Sequence, residues 1–349
     1  MDDDGFTSEG LQVSSVTTLR DANGAEFDRR TVDPESIRVD PDGGVLWTTE
    51  GATSAGIPPA LWVSGADGTV TGSIPLPGAF VPQVVDGRVI TGSRDNKSLE
   101  SLAVSPDQTI VTTAVENSLV QDGPAASLNT SSPSRVVRFD RSTGQDVGQY
   151  VYRVDPVEDA PTEPLPAPIN TYSADRGLSE LVALNSTDYL AVERSFASGV
   201  GYRIKVYWTS ILGATDVRAT AQLAGDEKVM PKRLIFDFAS TDVTPDNVEG
   251  ITWGPTLTNG DRTLVLSVDD NFGFLGSNTS FHLLRVPSGA LPMKSLDINA
   301  DGEADVRDLA RALFTQAGDI DGDGKRGIKD LALWRTYFET IARSTSVAR

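Results

Sequence analysis

Cysteine is absent from the 349-residue chain, and histidine occurs once, as His282. Without thiols there is no disulfide framework, zinc finger or cysteine nucleophile, and one imidazole cannot build a multi-histidine metal site. Bases are scarce beside acids: 30 Lys and Arg stand against 49 Asp and Glu, a formal charge of −19. A chain this negative repels nucleic-acid phosphate and anionic lipid, so neither is expected as a general partner. No run approaches the ~18 apolar residues of a membrane span. The opening MDDDGFTSEG has neither the basic nor the apolar stretch of a signal peptide. G-x-S-x-G elbows and phosphate-cradling glycine loops are also missing. The remaining chemistry is that of carboxylates and of cations held by them.

At 39% hydrophobic and 23% charged residues the composition is that of a folded protein, and the length predicts about two domains. From about 11 to 287 the text reads as short strands rich in Val, Ile, Thr, Tyr and Trp: VSSVTTL, GVLWTTE, ALWVSG, TVTGSIPL, GRVITG, TIVTTAVE, RVVRFD, GQYVYRV, YLAVER, IKVYWTSI, RTLVLSV and FHLLRV. Turn pairs such as DG, NG and TG punctuate them, and no helical pattern intervenes, which predicts a sandwich, barrel or propeller. His282, inside FHLLRV, is expected to be a packed or rim residue.

An internal repeat selects the propeller. Four segments carry a Glu, an alternating apolar stretch, then a second apolar strand ending in acid. They run from Glu35 to Glu50, from Glu100 to Glu116, from Glu180 to Glu193, and from Glu249 to Asp269-Asp270-Asn271. The first glutamates are 65, 80 and 69 residues apart, longer than the ~40–50 residues of a typical blade. The expectation is an all-β propeller of five to seven blades, in a domain spanning 1–290. MDDDGF resembles SVDDNFGF at 267–274, so the chain is expected to begin inside a blade, with Met1 an internal methionine or an artificial boundary. Innermost strands line the channel of a propeller. The repeated acids therefore either form a metal or polar site at one channel mouth or lock blade to blade through backbone N–H groups. Arg94, Lys97, Arg194 and Lys232 are interspersed bases, suited to an anionic substrate or to ion pairs with the same acids.

After PSGALPMK the pattern changes. Residues 295–349 hold ten acids and eight bases, so most of the negative charge belongs to the β domain. Two apolar-periodic helices, VRDLARALFTQAG and IKDLALWRTYFETIA, each follow an acidic loop. In the first loop Asp297, Asn299, Asp301, Asp305 and Asp308 occupy positions 1, 3, 5, 9 and 12; in the second, Asp319, Asp321, Asp323 and Asp330 occupy 1, 3, 5 and 12. Gly302 and Gly324 fall at position 6, and the carbonyls of Glu303 and Lys325 at position 7 complete the set. That spacing wraps six or more oxygens around a hard cation, so two Ca²⁺ ions are expected in a domain spanning 291–349.

Two such loops, each ending in Asp and the first without an entering helix, resemble a type I dockerin over about 297–343. The resemblance implies two calcium ions and docking onto a cohesin-like partner; positions 10 and 11 read Val306-Arg307 and Ile328-Lys329 instead of a Ser-Thr pair. Weak calcium sites fill at extracellular calcium levels, so the loops point to export, with no signal peptide in this chain. Upstream, DPESI, RDNKSLESLAVSPD, GLSELVAL, YLAVERS, PDNVEGITWGP and TLVLSVDDNF resemble, over about 33–286, the phytase-like family, the esterase-like domain of phytase. Ser36 and Ser101 stand where that family often has Gly. The resemblance implies a propeller, an ester or phosphoester hydrolase, and a site drawn from Glu35, Glu100, Glu180, Glu193, Arg194, Glu249, Asp269, Asp270 and Asn271. With so little else available, hydrolysis would be assisted by Ca²⁺ or Mg²⁺ in the channel. The alternative is a non-catalytic, calcium-stabilised propeller used for binding or assembly.

Overall fold

The computed structural model describes residues 14–28 and 31–346. The expected strand VSSVTTL is not formed: its described residues run as irregular chain, Val16 is exposed, and the following Arg20 makes isolated bridges to Thr69 and Glu26. The resemblance at MDDDGF and the question of Met1 lie outside the described residues.

Four antiparallel sheets follow one another along the chain. The first is β1 (Pro34–Val39), β2 (Val45–Thr49), β3 (Ala60–Ser64) and β4 (Val70–Ile74). After a small hairpin, β5 (Gln83–Val85) and β6 (Arg88–Thr91), comes the second: β7 (Leu99–Val104), β8 (Ile110–Val115), β9 (Ser132–Asp140) and β10 (Asp146–Val154). The third is β11 (Ala174–Ala183), β12 (Asp188–Ala197), β13 (Gly201–Ser210) and β14 (Lys232–Asp237). The last, β15 (Val248–Trp253), β16 (Arg262–Val268) and β17 (Ser280–Val286), has three strands. Each sheet is a meander whose first strand lies innermost, the topology of a propeller blade. The described residues thus form four blades, not five to seven. The four repeats are the four blades, and the length by which they exceed a typical blade is loop, such as the Pro-rich 155–170 segment.

Apolar side chains fill three seams between successive blades. Leu46, Leu61, Phe80, Leu99, Val111 and Phe139 join blades 1 and 2, while Val136, Tyr152, Leu178, Tyr189 and Ala191 join blades 2 and 3. A larger cluster joins blade 3 (Leu190, Ile204, Trp208) to blade 4 (Ile251, Leu264, Leu266). Burying each such side chain contributes roughly 1.5–3 kcal/mol, so these seams dominate the stability. No comparable cluster joins blade 4 to blade 1 among the described residues: β1 leaves Ile37 and Val39 exposed, and β17 leaves Phe281 and Leu283 exposed. Arg38 of β1 instead reaches across the axis, donating to the carbonyls of Leu181 (2.8 Å) and Ile251 (3.3 Å).

The C-terminal segment holds α1 (Val306–Phe314) and α2 (Ile328–Ser346). Asp305 caps α1 through the Arg307 N–H, and Asp308 answers by accepting from the Asp305 N–H. The apolar face of α2, with Leu333, Trp334, Tyr337 and Ile341, enters the core of blades 3 and 4. Tyr337 packs its ring 4.7 Å from that of Trp208 and donates its hydroxyl to the Ala290 carbonyl at 3.2 Å.

Candidate functional site

The strand register places the repeated acids. In each blade the ladder between the first two strands skips near the Glu: between Pro34 and Ile37, Leu99 and Ser101, Leu178 and Glu180, and Val248 and Gly250. A bulge of this kind turns the skipped side chain out of the ladder. The skipped residues are Glu35 with Ser36, Glu100, Ser179 and Glu249. Blade 3 therefore departs from the others. Where blades 1 and 2 read Pro34-Glu35-Ser36-Ile37 and Leu99-Glu100-Ser101-Leu102, blade 3 reads Leu178-Ser179-Glu180-Leu181, with Ser and Glu exchanged. On the second strands the residue that follows the partner of the pre-bulge residue is Glu50, Glu116, Arg194 and Asp269 in blades 1 to 4, and in blade 3 the ladder continues beyond it. Three blades thus present an acid pair to the axis, and blade 3 presents Ser179 and a cation.

The result is a cluster of seven carboxyls, Asp33, Glu35, Glu50, Glu100, Glu116, Glu249 and Asp269, beside two cations. Arg194 donates to Glu116 (3.0 Å) and Asn247 (2.9 Å) and lies 3.4 Å from Glu249. Lys97 pairs with Glu116 at 3.2 Å and with Asp175 at 2.6 Å. Glu116 and Glu50 are buried; Glu50 accepts from the Ser98 N–H, and the Ser98 carbonyl accepts from the Glu100 and Glu116 N–H groups at 3.1 and 2.7 Å. Gly177 is required opposite: a Cβ there would overlap the Glu116 carboxylate.

Two cations cannot neutralise seven acids in a half-dry channel, and the protonation equilibria reflect this. Burial, then Glu50 and Glu249, pushes Glu35 up to about 9. Burial, opposed by the Ser98 N–H and reinforced by Glu116, raises Glu50 to about 7. Glu100, raised by burial and by Glu35 and Glu116, lies well above the usual carboxylate range. Asp33 is raised by burial and by Asp269. For Lys97, burial opposes the charge, but Glu116 and Asp175 hold it protonated. Oxygens of Asp33, Glu35 and Glu50 lie within 4.8 Å of one another, a spacing that one cation could bridge.

The other candidates lie elsewhere. Glu180 is a blade lock: it accepts from Ser36 Oγ (2.6 Å), the Leu102 N–H (2.9 Å) and the Leu181 N–H (2.9 Å), and pairs with Arg38 at 3.0 Å. Glu193, fully buried between blades 2 and 3, accepts from Tyr152 (2.7 Å), Arg176 (2.7 Å), Lys232 (2.6 Å) and the Asp155 N–H (3.2 Å). Asp270 closes a turn on the Phe272 N–H and the Thr279 hydroxyl, where Asn271 takes a positive φ. Arg94 serves the carbonyls of Ser118 and Gly123. His282 packs edge-to-face on Phe238, and burial lowers its pKa. Asp33 and Asp175 were missed, and Glu50 and Glu116 had been read only as the second acids of their repeats. Placing all four needed the register.

In the C-terminal loops Asp319, Asp321 and Asp323 bring carboxylate oxygens within 4.8 Å of one another. Asp330 ties that loop to the start of α2, accepting from the N–H groups of Ile320 (2.7 Å), Asp321 (3.2 Å) and Gly327 (2.6 Å). Asp308 does the same for the first loop, with Ile298 and Asn299. Asp297 accepts from the N–H groups of Asp301 (3.1 Å) and Gly302 (2.8 Å), while Arg307 lies 2.9 Å from Asp301 and 2.7 Å from Asp305.

Among solved structures, the chain is distantly similar to a luciferin-regenerating enzyme (13% identity, 74% of this chain, 62% of that one, TM-score 0.32). It is similarly distant from a periplasmic gluconolactonase of Pseudomonas aeruginosa (13% identity, 73% and 58%, TM-score 0.29). An endo-arabinase of Bacteroides thetaiotaomicron gives 11% identity, 78% and 97%, and a TM-score of 0.27. The chain spans less than two thirds of the first two structures, and likenesses this loose say nothing about activity. No functionally curated protein matches. Residues 1–272 match the family described as phytase-like, "esterase-like activity of phytase", and the chain belongs to that family.

Proposed function

We propose that the chain is a metal-assisted ester or phosphoester hydrolase, with its site in the axial carboxylate cluster and a calcium-binding docking module at its C-terminus. The observation that carries the reading is the convergence of Glu35, Glu50, Glu100, Glu116 and Glu249 beside Lys97 and Arg194, with protons retained where repulsion is greatest. Carboxyls that must hold protons to coexist fit a divalent cation in their place, and Asp33, Glu35 and Glu50 would hold it. Ca²⁺ or Mg²⁺ there would polarise an acyl or phosphoryl oxygen. Glu100, kept protonated by burial, is suited to give a proton to the departing oxygen. Lys97 and Arg194, on the side of blades 2 and 3, supply N–H donors to a substrate oxygen carrying negative charge.

The second reading, a non-catalytic calcium-stabilised propeller, is favoured by Glu180 and Glu193, whose oxygens are taken up by neighbouring blades. In both readings the C-terminal loops bind calcium. The exposed apolar side chains of Val306, Leu313, Phe314 and Ile328 fit docking to a cohesin-like partner, with export supplying the calcium. The test is hydrolysis of phytate and of p-nitrophenyl esters with calcium, magnesium or chelator present. Turnover that needs a divalent cation and is lost in Glu35→Gln is the expected result; no turnover of either substrate with either metal leaves the second reading.

A further inference from the structure

The two C-terminal loops differ at their first position. Asp297 has both carboxylate oxygens engaged by N–H groups of its own loop, at 3.1 and 2.8 Å. Asp319, 7% exposed, has Oδ2 bound by Lys294 (2.7 Å) and the Gly324 N–H (3.3 Å), while Oδ1 is buried without a hydrogen-bond partner among the described residues. A buried anionic oxygen without a donor is unfavourable by several kcal/mol unless a cation meets it. The oxygens of Asp319, Asp321 and Asp323 converge within 4.8 Å.

The loops differ also in what they are tied to. Ile320, inside the second loop, is fully buried in the core shared by Leu264 and Leu266 of blade 4, and its carbonyl accepts from the Lys294 N–H at 3.1 Å. Ahead of the loops, the Pro292 carbonyl accepts from Asn185 (3.3 Å), and Ser295 shares a hydroxyl hydrogen bond with Thr187 (2.8 Å), both in the β11–β12 turn of blade 3. Behind the second loop, α2 buries Trp334, Tyr337 and Ile341 against the same blades. The first loop touches the same core less deeply: Ile298, Ala304 and Leu309 pack against it only partly buried, and α1 leaves Val306 and Phe314 exposed.

We infer that the second calcium loop is the main clamp on the propeller: a cation held by Asp319, Asp321 and Asp323 stabilises blades 3 and 4, while the first loop, packed more shallowly on the same core, adds little to them. The inference rests on the calcium-binding reading of the loops and adds a division of labour between them. Because α2 and Ile320 are part of the core of blades 3 and 4, opening those blades through loss of α2 must also release the cation. Mass action then lowers the population of that opened state, and the hydrogen exchange that passes through it, by a factor of 1 + [Ca²⁺]/Kd, about a hundredfold when calcium is a hundred times Kd.

The test is hydrogen exchange by mass spectrometry on the full chain, with calcium or chelator, for the wild type, Asp323→Ala and Asp301→Ala. Both substituted residues are exposed, so folding is retained. Calcium binding is followed separately by titration calorimetry. In the wild type, calcium should slow exchange in β13 to β17 by up to about a hundredfold; Asp323→Ala should abolish that slowing, and Asp301→Ala should keep it. Calcium binding with protection confined to 295–346, or equal loss of blade protection in both variants, overturns the clamp alone. Absence of any calcium uptake overturns the clamp and the docking-module reading together.

Discussion

Raising the pH in the absence of divalent cations should loosen the propeller, because the folded axis keeps protons that the unfolded chain does not. Glu35 and Glu50 are raised from 4.5 to about 9 and about 7. A folded-state pKa above the unfolded one gives stability that is complete below the unfolded value and is lost as pH rises through the folded value. Each extra proton held by the folded state makes stability fall by about 1.4 kcal/mol per pH unit. Between pH 6 and 7 Glu35 and Glu50 hold two such protons, and between 7 and 9 Glu35 holds one, so these two groups alone contribute a loss of ~5 kcal/mol from pH 6 to 9, with the raised Glu100 adding to it. Glu35 is partly solvated, and screening lowers this to about 3–4 kcal/mol. Thermal unfolding in chelator, followed by circular dichroism at intervals from pH 6 to 9, should show the melting temperature falling by roughly 5 °C. Glu35→Gln should make the fall above pH 7 clearly shallower while leaving the part between pH 6 and 7 that belongs to Glu50. A melting temperature that is flat with pH in chelator, or a Glu35→Gln variant that falls as steeply as the wild type above pH 7, would refute the reasoning.

Two further outcomes test the division of labour among the acids. Glu180→Ala strands Arg38 and releases Ser36 and the Leu102 N–H; it should destabilise by about 3–5 kcal/mol, read by denaturant unfolding, yet leave the cation affinity of the axis unchanged. Arg194→Gln removes the guanidinium shared by Glu116 and Glu249; calorimetry should show tighter cation binding at the axis, and thermal unfolding in chelator should show lower stability.

Much of this architecture was legible in the chain. The recurrence of Glu35, Glu100 and Glu249 before a Ser or Gly and an apolar residue marked the innermost strands, because a bulge at the channel needs that local pattern in every blade. Blade 3 misled for a physical reason. Its Glu180 keeps the residue type but sits one position later, and one position in a strand turns a side chain to the opposite face, here from the axis to the lock with Ser36. Arg194 therefore occupies the place held by an acid in the other blades, and the pair read as Glu180 and Glu193 is two separate buried networks. Asp33 carries no repeat signature and could not be found without the fold. Helical periodicity located α1 and α2, yet the stripe of Leu333, Trp334, Tyr337 and Ile341 indicates only that α2 has an apolar face. That the face belongs to Trp208 and Leu266 is a property of the tertiary structure. The four repeats correspond to the four blades, and the expected five to seven included blades for which the described residues hold no strands.

The central claim, that the axial acids hold a divalent cation, is tested most directly by calcium and magnesium titration calorimetry on a chain with both C-terminal loops disabled, Asp301→Ala with Asp323→Ala. One site should remain, its affinity should rise from pH 6 to 9 as Glu50 and Glu35 lose their protons, and adding Glu35→Gln with Glu50→Gln should abolish it. A chain with no residual site for either ion, or one whose residual site survives the loss of both glutamates, would contradict the account.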